Sequence, residues 1–411
     1  MSANTTSDAA SEPSASRSRL TVVSSIGIGQ ILVWGSSYYL LAVLAGPIAR
    51  DTGWPLTWIM GALSAGMVIA GLVSPRVGHL IDRHGGRPVL AGSAVLFAAG
   101  MLALAVAPNL PVFVVAWAVL GVAMGAGLYD PAFSALGRLY GDNARSAITQ
   151  VTLFGGFAST VCWPLSAFLV DRVSWRGTCL TYAAINLLVV LPLYLLGLPR
   201  EAARAHQTGH QAGPAQHGRL KPELRIAFVV LAAGFTLASV VMTVISVHLL
   251  TLLQAQGITL AAAVGLGALI GPSQVGARVL EAAFGRKAHP LWSLLVSTIL
   301  VAVGLGMLLS APGVAAAGIL LYGSGSGIRS IARGTVPLAL FGKEGYAILM
   351  GRISMPTLIA QAASPAIGAW LLDAAGAAGT LAVLLGAAAM HILLVIALMP
   401  WVWRQRVPAS G

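Results

Sequence analysis

Charged side chains are scarce in this sequence. Asp, Glu, Lys and Arg make up 9% of its 411 residues, whereas soluble globular chains carry about a quarter. Because 57% of the residues are apolar, a water-soluble enzyme is excluded. The 24 Lys and Arg residues are spread between apolar runs and form no contiguous patch, which also excludes nucleic acid as a partner.

Groups that bind metals or cofactors are scarce as well. The two cysteines, Cys162 and Cys179, lie in apolar stretches, so the sequence has neither a disulfide framework nor a zinc-binding spacing. No segment matches G-x-x-x-x-G-K-[ST], which excludes a nucleotide-binding P-loop and therefore ATP as a source of energy. We expect no metal and no cofactor.

Long apolar runs are what the sequence has in abundance. A helix of about 20 apolar residues crosses a bilayer. Runs of this kind predict twelve spans, at 21–47, 56–80, 88–107, 111–137, 147–170, 177–198, 224–253, 259–283, 290–310, 314–340, 347–372 and 378–402. The predicted fold is an all-α integral membrane protein with two six-helix bundles, 20–198 and 224–403. Polar residues predict a disordered tail at 1–19, a linker at 199–223 and a short tail at 404–411.

The positions of the basic residues predict the orientation of these spans. With the N-terminus inside, all but three of the 24 Lys and Arg residues lie on the cytoplasmic side or in the inner half of the membrane. The three exceptions are Arg50, Arg172 and Arg176. Cytoplasmic loops carry an excess of Lys and Arg. We therefore expect an even number of spans, with both termini cytoplasmic, in a bacterial inner membrane.

The two halves of the chain repeat one another at an offset of about 200 residues. PLSAFLVD at 164–171 corresponds to PAIGAWLLD at 365–373, each in the fifth span of its half. Repeats related by an axis along the membrane normal are typical of transporters built from two halves. The repeat predicts two pseudo-symmetric bundles around a central site.

The loop between spans two and three reads GHLIDRHGGRP at 78–88. It resembles the signature loop of the major facilitator superfamily, G-x-x-x-D-R-x-G-R-[KR], with one extra glycine and a proline in the last basic position. In that family the loop latches the cytoplasmic gate in the outward-open state. The resemblance therefore implies twelve helices, transport by alternating access, and gate roles for Gly78, Asp82, Arg83 and Arg87. We expect Gly78 to pack closely against the facing half.

Further segments resemble a bacterial branch related to monocarboxylate porters. They are LYDPAF at 128–133, TLFGGFAST at 152–160 and GPSQV at 271–275. Monocarboxylate carriers have a functional arginine in their eighth span, and the resemblance implies this role for Arg278. A guanidinium can grip a carboxylate through two parallel hydrogen bonds. The alternative is a pair between Arg278 and Glu281, one helical turn later.

Ionisable groups inside a span are costly and are therefore functional candidates. We predict that Asp130 in span four pairs with Arg83 or Arg87 as part of the gate, and binding of substrate or of a proton at the same carboxylate is the alternative. Arg329 in span ten is a second candidate for anion binding. Arg333, one turn further, is expected to extend to the lipid headgroups.

Span one contributes three more candidates. Gln30, Trp34 and Tyr38 are spaced four residues apart, which places them on one face of a helix. They are predicted to contact substrate, and packing is the alternative. For proton coupling the candidates are Asp130, Glu281 and His248, although His248 has a structural hydrogen bond as its alternative role.

Two polar residues are not expected to have a function. Asn186 and His391 lie in spans six and twelve, which are peripheral in the family that the sequence resembles. No cluster of His, Asp, Ser or Lys supplies an enzyme's constellation. An enzyme is therefore not expected.

The sequence thus predicts a secondary active transporter that moves a small organic anion, with a monocarboxylate as first candidate, together with protons. It is expected to act as a monomer in the lipid bilayer. An exporter of apolar drugs or toxic metabolites is the alternative, followed by a membrane receptor that does not transport.

Overall fold

The structure is a computed structural model that describes residues 17–201, 220, 222–285 and 288–401. Within these ranges the chain is helical and has no strand. The predicted tails and the predicted linker at 199–223 lie mostly outside the described residues.

Six spans form the first bundle, and several consist of two helices in succession. Span 1 is α1 (Arg19–Gly35) and α2 (Leu41–Thr52), span 2 is α3 (Leu56–His84), span 3 is α4 (Gly86–Ala105) and span 4 is α5 (Leu110–Gly127) with α6 (Tyr129–Tyr140). Span 5 is α7 (Ala144–Gly156) with the first part of α8 (Ala158–Ile185). Span 6 is the rest of α8, a π-turn at Asn186–Val190, and α9 (Leu191–Gly197).

The second bundle repeats this arrangement. Span 7 is α10 (Pro222–Ala255), span 8 is α11 (Leu260–Ala268) with α12 (Ile270–Phe284), span 9 is α13 (Pro290–Ser310) and span 10 is α14 (Ala315–Phe341). Spans 11 and 12 are the two parts of α15 (Tyr346–Ala397). Seven stretches of the described chain are long and apolar enough to cross a membrane, and those at 110–197 and 346–401 each contain more than one crossing. The predicted fold class is confirmed.

Turns at matching positions show the internal symmetry in the backbone. Gly141 (φ 51°) follows span 4 and Gly342 (φ 76°) follows span 10. Spans 5 and 6 are separated by Ser174 (φ 64°), and spans 11 and 12 by Gly376 (φ 65°). Positive φ favours glycine because a side chain clashes there. The two halves therefore turn at the same places, at the offset of the sequence repeat.

Small residues allow helices within a bundle to approach closely. A Cβ atom at Gly121 in span 4 would lie 2.4 Å from the carbonyl oxygen of Gly66 in span 2. In the second bundle a Cβ at Gly304 would lie 2.6 Å from the carbonyl oxygen of Gly318. Close backbone approach at small residues is a major source of packing energy between helices in a membrane, where lipid supplies no hydrophobic force between them.

Replacing Gly121 with valine should destabilise the first bundle. The added side chain meets backbone of span 2, which cannot move aside, and overpacking of this kind costs about 1–3 kcal/mol. We expect a lower melting temperature of the purified protein in detergent. Gly92→Val is the matched control, because a Cβ at exposed Gly92 meets nothing within 4 Å. Equal melting temperatures for the two variants would contradict the proposed packing.

Candidate functional site

A central cavity of about 160 Å³ lies between the two bundles. Its described walls come from spans 1, 2, 4 and 5 of the first bundle and from spans 7, 8, 10 and 11 of the second. Spans 3, 6, 9 and 12 contribute none of the described lining residues. Corresponding spans of the two halves thus face a shared chamber.

The bundles are closed against each other at one end, which we name the basic end after Arg19, Arg138, Arg145 and Lys343. Spans 2 and 11 are in backbone contact near this end. A Cβ at Gly78 would lie 2.4 Å from the carbonyl oxygen of Ala347. A Cβ at Gly351 would likewise lie 2.4 Å from the carbonyl oxygen of Ser74. Gly78 therefore has the close approach to the facing half that its position in the loop predicted.

Two basic side chains add hydrogen bonds across the same boundary. Arg145 donates to the carbonyl oxygens of Ala288 (2.5 Å) and Gly285 (2.7 Å). Lys343 donates to the carboxylate of Asp142 at 3.2 Å, and both side chains are largely exposed. These contacts join α7 and the turn before it to the second bundle.

A cluster of polar contacts at the opposite end lies within the first bundle. Asp51, in the last turn of span 1, accepts hydrogen bonds from the Trp175 indole (2.8 Å) and from Arg176 at the start of span 6. This cluster braces spans 1 and 6 and does not tie the two bundles together.

A buried ion pair joins the bundles on the floor of the cavity. Arg333 donates to both carboxylate oxygens of Asp130, at 2.7 Å each, and Ser354 adds a third hydrogen bond at 2.5 Å. Both charged side chains are about seven-eighths buried, with 13% and 14% exposed. The pair links span 4 to spans 10 and 11.

This geometry corrects two predictions. Asp130 does not pair with Arg83 or Arg87, because it lies in the first turn of α6 and faces span 10. Arg83 is exposed, and Arg87 donates to the carbonyl oxygen of Leu195 at 3.0 and 2.6 Å. Arg333 does not extend to the headgroups, because its charge is neutralised inside the protein by Asp130.

The loop at 78–88 is instead bound by a residue that the sequence reasoning missed. Arg138, at the end of span 4, donates to the carbonyl oxygen of Asp82 and to the carboxylate of Glu201 (2.6 Å). Glu201 also accepts a hydrogen bond from the backbone N–H of Gly86 at 3.0 Å. The available signal was Glu201 itself, one of only 12 acids and placed directly after the last span of the first half.

Two arginines in the cavity wall have no acidic partner. Arg278 and Arg329 are 6% and 9% exposed, and neither forms an ion pair within the described residues. Arg278 donates to the carbonyl oxygen of Thr152 (3.1 Å) and to Gln274 (3.5 Å), while its Nε has no partner among these residues. A buried cation without a partner is costly. The cavity therefore carries an uncompensated positive charge.

The alternative pairing of Arg278 with Glu281 does not occur. Glu281 accepts a hydrogen bond from Ser293 at 2.6 Å and lies 3.6 Å from Arg145. It faces away from the cavity and towards span 9. Arg278 remains available to the cavity because Glu281 is occupied elsewhere.

Two adjacent glycines in span 5 make room for side chains of the cavity wall. A Cβ at Gly156 would lie 2.4 Å from Nη1 of Arg278. A Cβ at Gly155 would lie 2.1 Å from the hydroxyl oxygen of Tyr129. The glycine pair of the TLFGGFAST segment thus lets an arginine of the second bundle approach the first.

Aromatic rings of the first bundle form another part of the cavity wall. The Trp34 ring lies 5.1 Å from that of Tyr129, 5.5 Å from Tyr38 and 5.8 Å from Tyr39. All four side chains line the cavity. We call them the aromatic wall. It belongs to the first bundle, whereas Arg278 and Arg329 belong to the second.

Gln30 lies behind this wall and not in it. It is fully buried, donates to the carbonyl oxygen of Gly127 (2.8 Å) and accepts a hydrogen bond from the Trp34 indole (3.1 Å). The described residues that line the cavity do not include Gln30. Gln30 therefore orients the Trp34 side chain through this hydrogen bond. The prediction that Gln30 contacts substrate directly is wrong.

Tyr38 lines the cavity, but it does not lie on one continuous helix face with Gln30 and Trp34 as predicted. Helix α1 ends at Gly35, and Tyr38 lies in the turn before α2. The Ser37 hydroxyl donates to the carbonyl oxygen of Val33 (2.5 Å), and such local bonds compete with regular helix. The Tyr38 hydroxyl accepts a hydrogen bond from Gln361 of span 11 at 3.2 Å.

Of the predicted proton-coupling residues, only Asp130 lines the central cavity. His248 Nε2 lies 2.9 Å from the carbonyl oxygen of Pro365, between spans 7 and 11. Glu281 is bound by Ser293, as described above. His248 thus has the structural hydrogen bond that was its alternative role.

Breaking the Asp130–Arg333 pair from one side should loosen the closed end. Asp130→Asn or Arg333→Gln leaves a buried charge without its partner, which costs about 3–5 kcal/mol. We expect a marked fall in melting temperature and faster labelling of a cysteine introduced at Ser74. Lys343→Gln is the control, because it removes an exposed pair across the same boundary, and such pairs contribute about 0–1 kcal/mol. Equal effects of the three substitutions would count against a structural role for the buried pair.

Comparison with known proteins agrees with this architecture. The model of the Major Facilitator Superfamily matches residues 26–328, well over half of the chain. The chain is 26% identical to the 3-(3-hydroxy-phenyl)propionate transporter of Escherichia coli (strain K12) over 384 residues, which are 90% of this chain and 93% of that protein. It is 33% identical over 167 residues to the "Uncharacterized 38 kDa protein in 23S RNA operon" of Thermoproteus tenax, a match that spans 40% of this chain and only 44% of that protein.

A solved structure shares the fold over nearly the whole chain. The crystal structure of the human organic anion transporter MFSD10 has a TM-score of 0.72 at 16% identity, over 92% of this chain and 100% of that one. At this identity the likeness shows the fold alone. The two six-helix bundles, the cavity between their corresponding spans and the family match lead to one conclusion: the chain belongs to the major facilitator superfamily of membrane transporters.

Proposed function

We propose that this transporter moves a small organic anion, most specifically an aromatic monocarboxylate, by proton-coupled alternating access. The observation that carries the proposal is a cavity lined both by two buried arginines, which have no acidic partner among the described residues, and by the aromatic wall. One wall would bind a carboxylate and the other a flat apolar body.

The chemistry of the arginines favours an anion. Nε of Arg278 has no hydrogen-bond partner within the part of the chain that the structure describes, and a guanidinium edge can donate two parallel hydrogen bonds to a carboxylate. Arg329 adds a second positive charge from span 10. A bound anion would offset the energetic cost of burying these cations. A cavity for apolar drugs or metabolites does not need such charges, which disfavours that alternative.

The aromatic wall supports the aryl part of the proposed substrate. Aromatic pairs contribute about 0.5–1.5 kcal/mol beyond the burial of their area. The E. coli relative is named as a transporter of 3-(3-hydroxy-phenyl)propionate, which joins an aromatic ring to a carboxylate. This name and the two walls of the cavity support the same class of molecule.

The orientation follows from the positive-inside rule. We propose that the basic end is cytoplasmic, that both termini lie on that side, and that the membrane is a bacterial inner membrane. The described conformation is then closed towards the cytoplasm. Opening requires the separation of Asp130 from Arg333 and of Gly78 from Ala347, so these residues form the proposed gate. The chain is proposed to act as a monomer.

Replacing Arg278 with alanine should abolish uptake of aromatic carboxylates. In proteoliposomes with an acidic exterior we expect the wild type to accumulate 3-(3-hydroxyphenyl)propionate, and a protonophore to collapse the accumulation. Arg278→Ala should lower uptake about 100-fold, since charge-assisted hydrogen bonds contribute about 1.5–3 kcal/mol each. Arg172→Ala is the control, because Arg172 is exposed at the opposite end.

Undiminished uptake by Arg278→Ala would remove this residue from the site. Substrate binding without any flux in the wild type would favour the receptor alternative.

Replacing Trp34 with alanine should weaken the preference for aryl over short aliphatic acids. The loss of ring contacts lowers affinity for 3-phenylpropionate while leaving the carboxylate contacts of propionate. We expect the inhibition constant of propionate divided by that of 3-phenylpropionate to fall about tenfold, which corresponds to about 1.4 kcal/mol. Competition against labelled substrate measures this ratio. Trp58→Ala serves as the control, because Trp58 is 61% exposed on the outer face of span 2.

An unchanged ratio in Trp34→Ala would contradict the proposal that the aromatic wall binds the aryl part of the substrate.

A further inference from the structure

A second and smaller cavity of about 20 Å³ lies inside the second bundle. It is enclosed by spans 7, 9, 10 and 12 and adjoins the central cavity. Met242, Ser326 and Arg329 line both cavities. Arg329 therefore has the central cavity on one side and this small cavity on the other.

The small cavity lies in a polar layer that divides the apolar core of the second bundle. One apolar cluster includes Val244 and Leu305, and a separate cluster includes Phe235 and Leu294. Ser297, Thr298, Ser326, Arg329 and His391 line the cavity beside these clusters. Most buried apolar residues of the first bundle, by contrast, belong to one large cluster. A polar layer of this kind costs packing energy, which points to a function.

His391 of span 12 is the titratable residue of this layer that the proposed function leaves unused. Its side chain is 5% exposed and lines the small cavity. Among the described residues it has no hydrogen-bond partner. A Cβ at Gly234 in span 7 would lie 3.2 Å from His391 Nε2, so this glycine makes room for the ring. A cavity of about this size holds roughly one water, which gives the ring a partner for proton exchange.

The charges around His391 connect it with anion binding. From span 10 it is faced by Arg329 and by the hydroxyl of Tyr322, while the lining residues of spans 7 and 9 are uncharged. Asp130 is occupied by Arg333. A proton on the imidazole is repelled by the uncompensated charge of Arg329, and an anion bound to Arg329 removes this repulsion. Because linkage is reciprocal, protonation of His391 strengthens anion binding by the same factor.

We propose that His391 and Arg329 form a coupled site, in which the imidazole takes up the proton that accompanies the anion bound at Arg329. The inference rests on the proposed function. One proton binds to one imidazole nitrogen for each monocarboxylate, and no covalent bond to the substrate forms. Proton and anion charges cancel, so the cycle moves no net charge.

Replacing His391 with glutamine separates coupling from transport. In proteoliposomes we expect His391→Gln to lose pH-driven accumulation of 3-(3-hydroxyphenyl)propionate about tenfold or more. Exchange of labelled for unlabelled substrate at equal pH, which needs no net proton movement, should stay within about threefold of the wild type. His248→Gln tests the competing membrane histidine and is expected to keep its accumulation.

The inference is overturned if His391→Gln accumulates substrate as the wild type does, or if His248→Gln alone loses accumulation. A wild type that neither accumulates nor exchanges aromatic carboxylates would refute the proposed function itself, a different result from the first two.

A measurement on the wild type covers the case in which His391→Gln does not fold. Calorimetric titration with the same substrate, in buffers of different ionisation enthalpy, gives the number of protons taken up on binding. We expect proton uptake on binding to be largest where the imidazole is neutral in the free protein and protonated in the anion-bound protein, and to fall to zero at higher pH. Binding without proton uptake at any pH from 4 to 8 would overturn the coupled site.

Discussion

A charge buried within a membrane protein must either be neutralised by a partner or remain available for one. This chain does both within a single chamber. Asp130 neutralises Arg333 across the two bundles, whereas Arg278 and Arg329 keep an uncompensated charge in the cavity wall. The first arrangement holds the bundles together at the basic end. The second is the basis of the proposed preference of the chamber for an anion.

Close backbone packing determines where these charges lie. Glycines at positions 78 and 351 bring spans 2 and 11 into contact and close one end of the chamber. Gly156 makes space for the Arg278 guanidinium, and Gly234 makes space for the His391 ring. In each case the absence of a side chain on one helix permits a charged or polar group on another. The high glycine content, 48 of 411 residues, therefore serves the site as well as the packing of the helices.

The sequence predicted the twelve spans, the repeat and the location of Arg278 and Arg329 within spans 8 and 10, because these depend on apolar runs and on position within a span. It did not predict which residues face each other. The partner of Asp130 is Arg333 because the packing of span 10 against span 4 brings the two side chains together, and Tyr38 leaves the helix face of Gln30 and Trp34 because α1 ends at Gly35. Neither fact follows from spacing. His391 was set aside because span 12 is peripheral, yet packing of spans 9, 10 and 12 brings it beside Arg329.

The most direct measurement is a structure of the protein with 3-(4-iodophenyl)propionate, whose iodine can be located by its anomalous scattering. The proposed site predicts the carboxylate within hydrogen-bond distance of Arg278 Nε and close to Arg329, with the iodinated ring against Trp34 and its neighbouring tyrosines. A ligand bound elsewhere, or bound in this chamber with its carboxylate turned away from both arginines, would contradict the central role given to the unpaired charges.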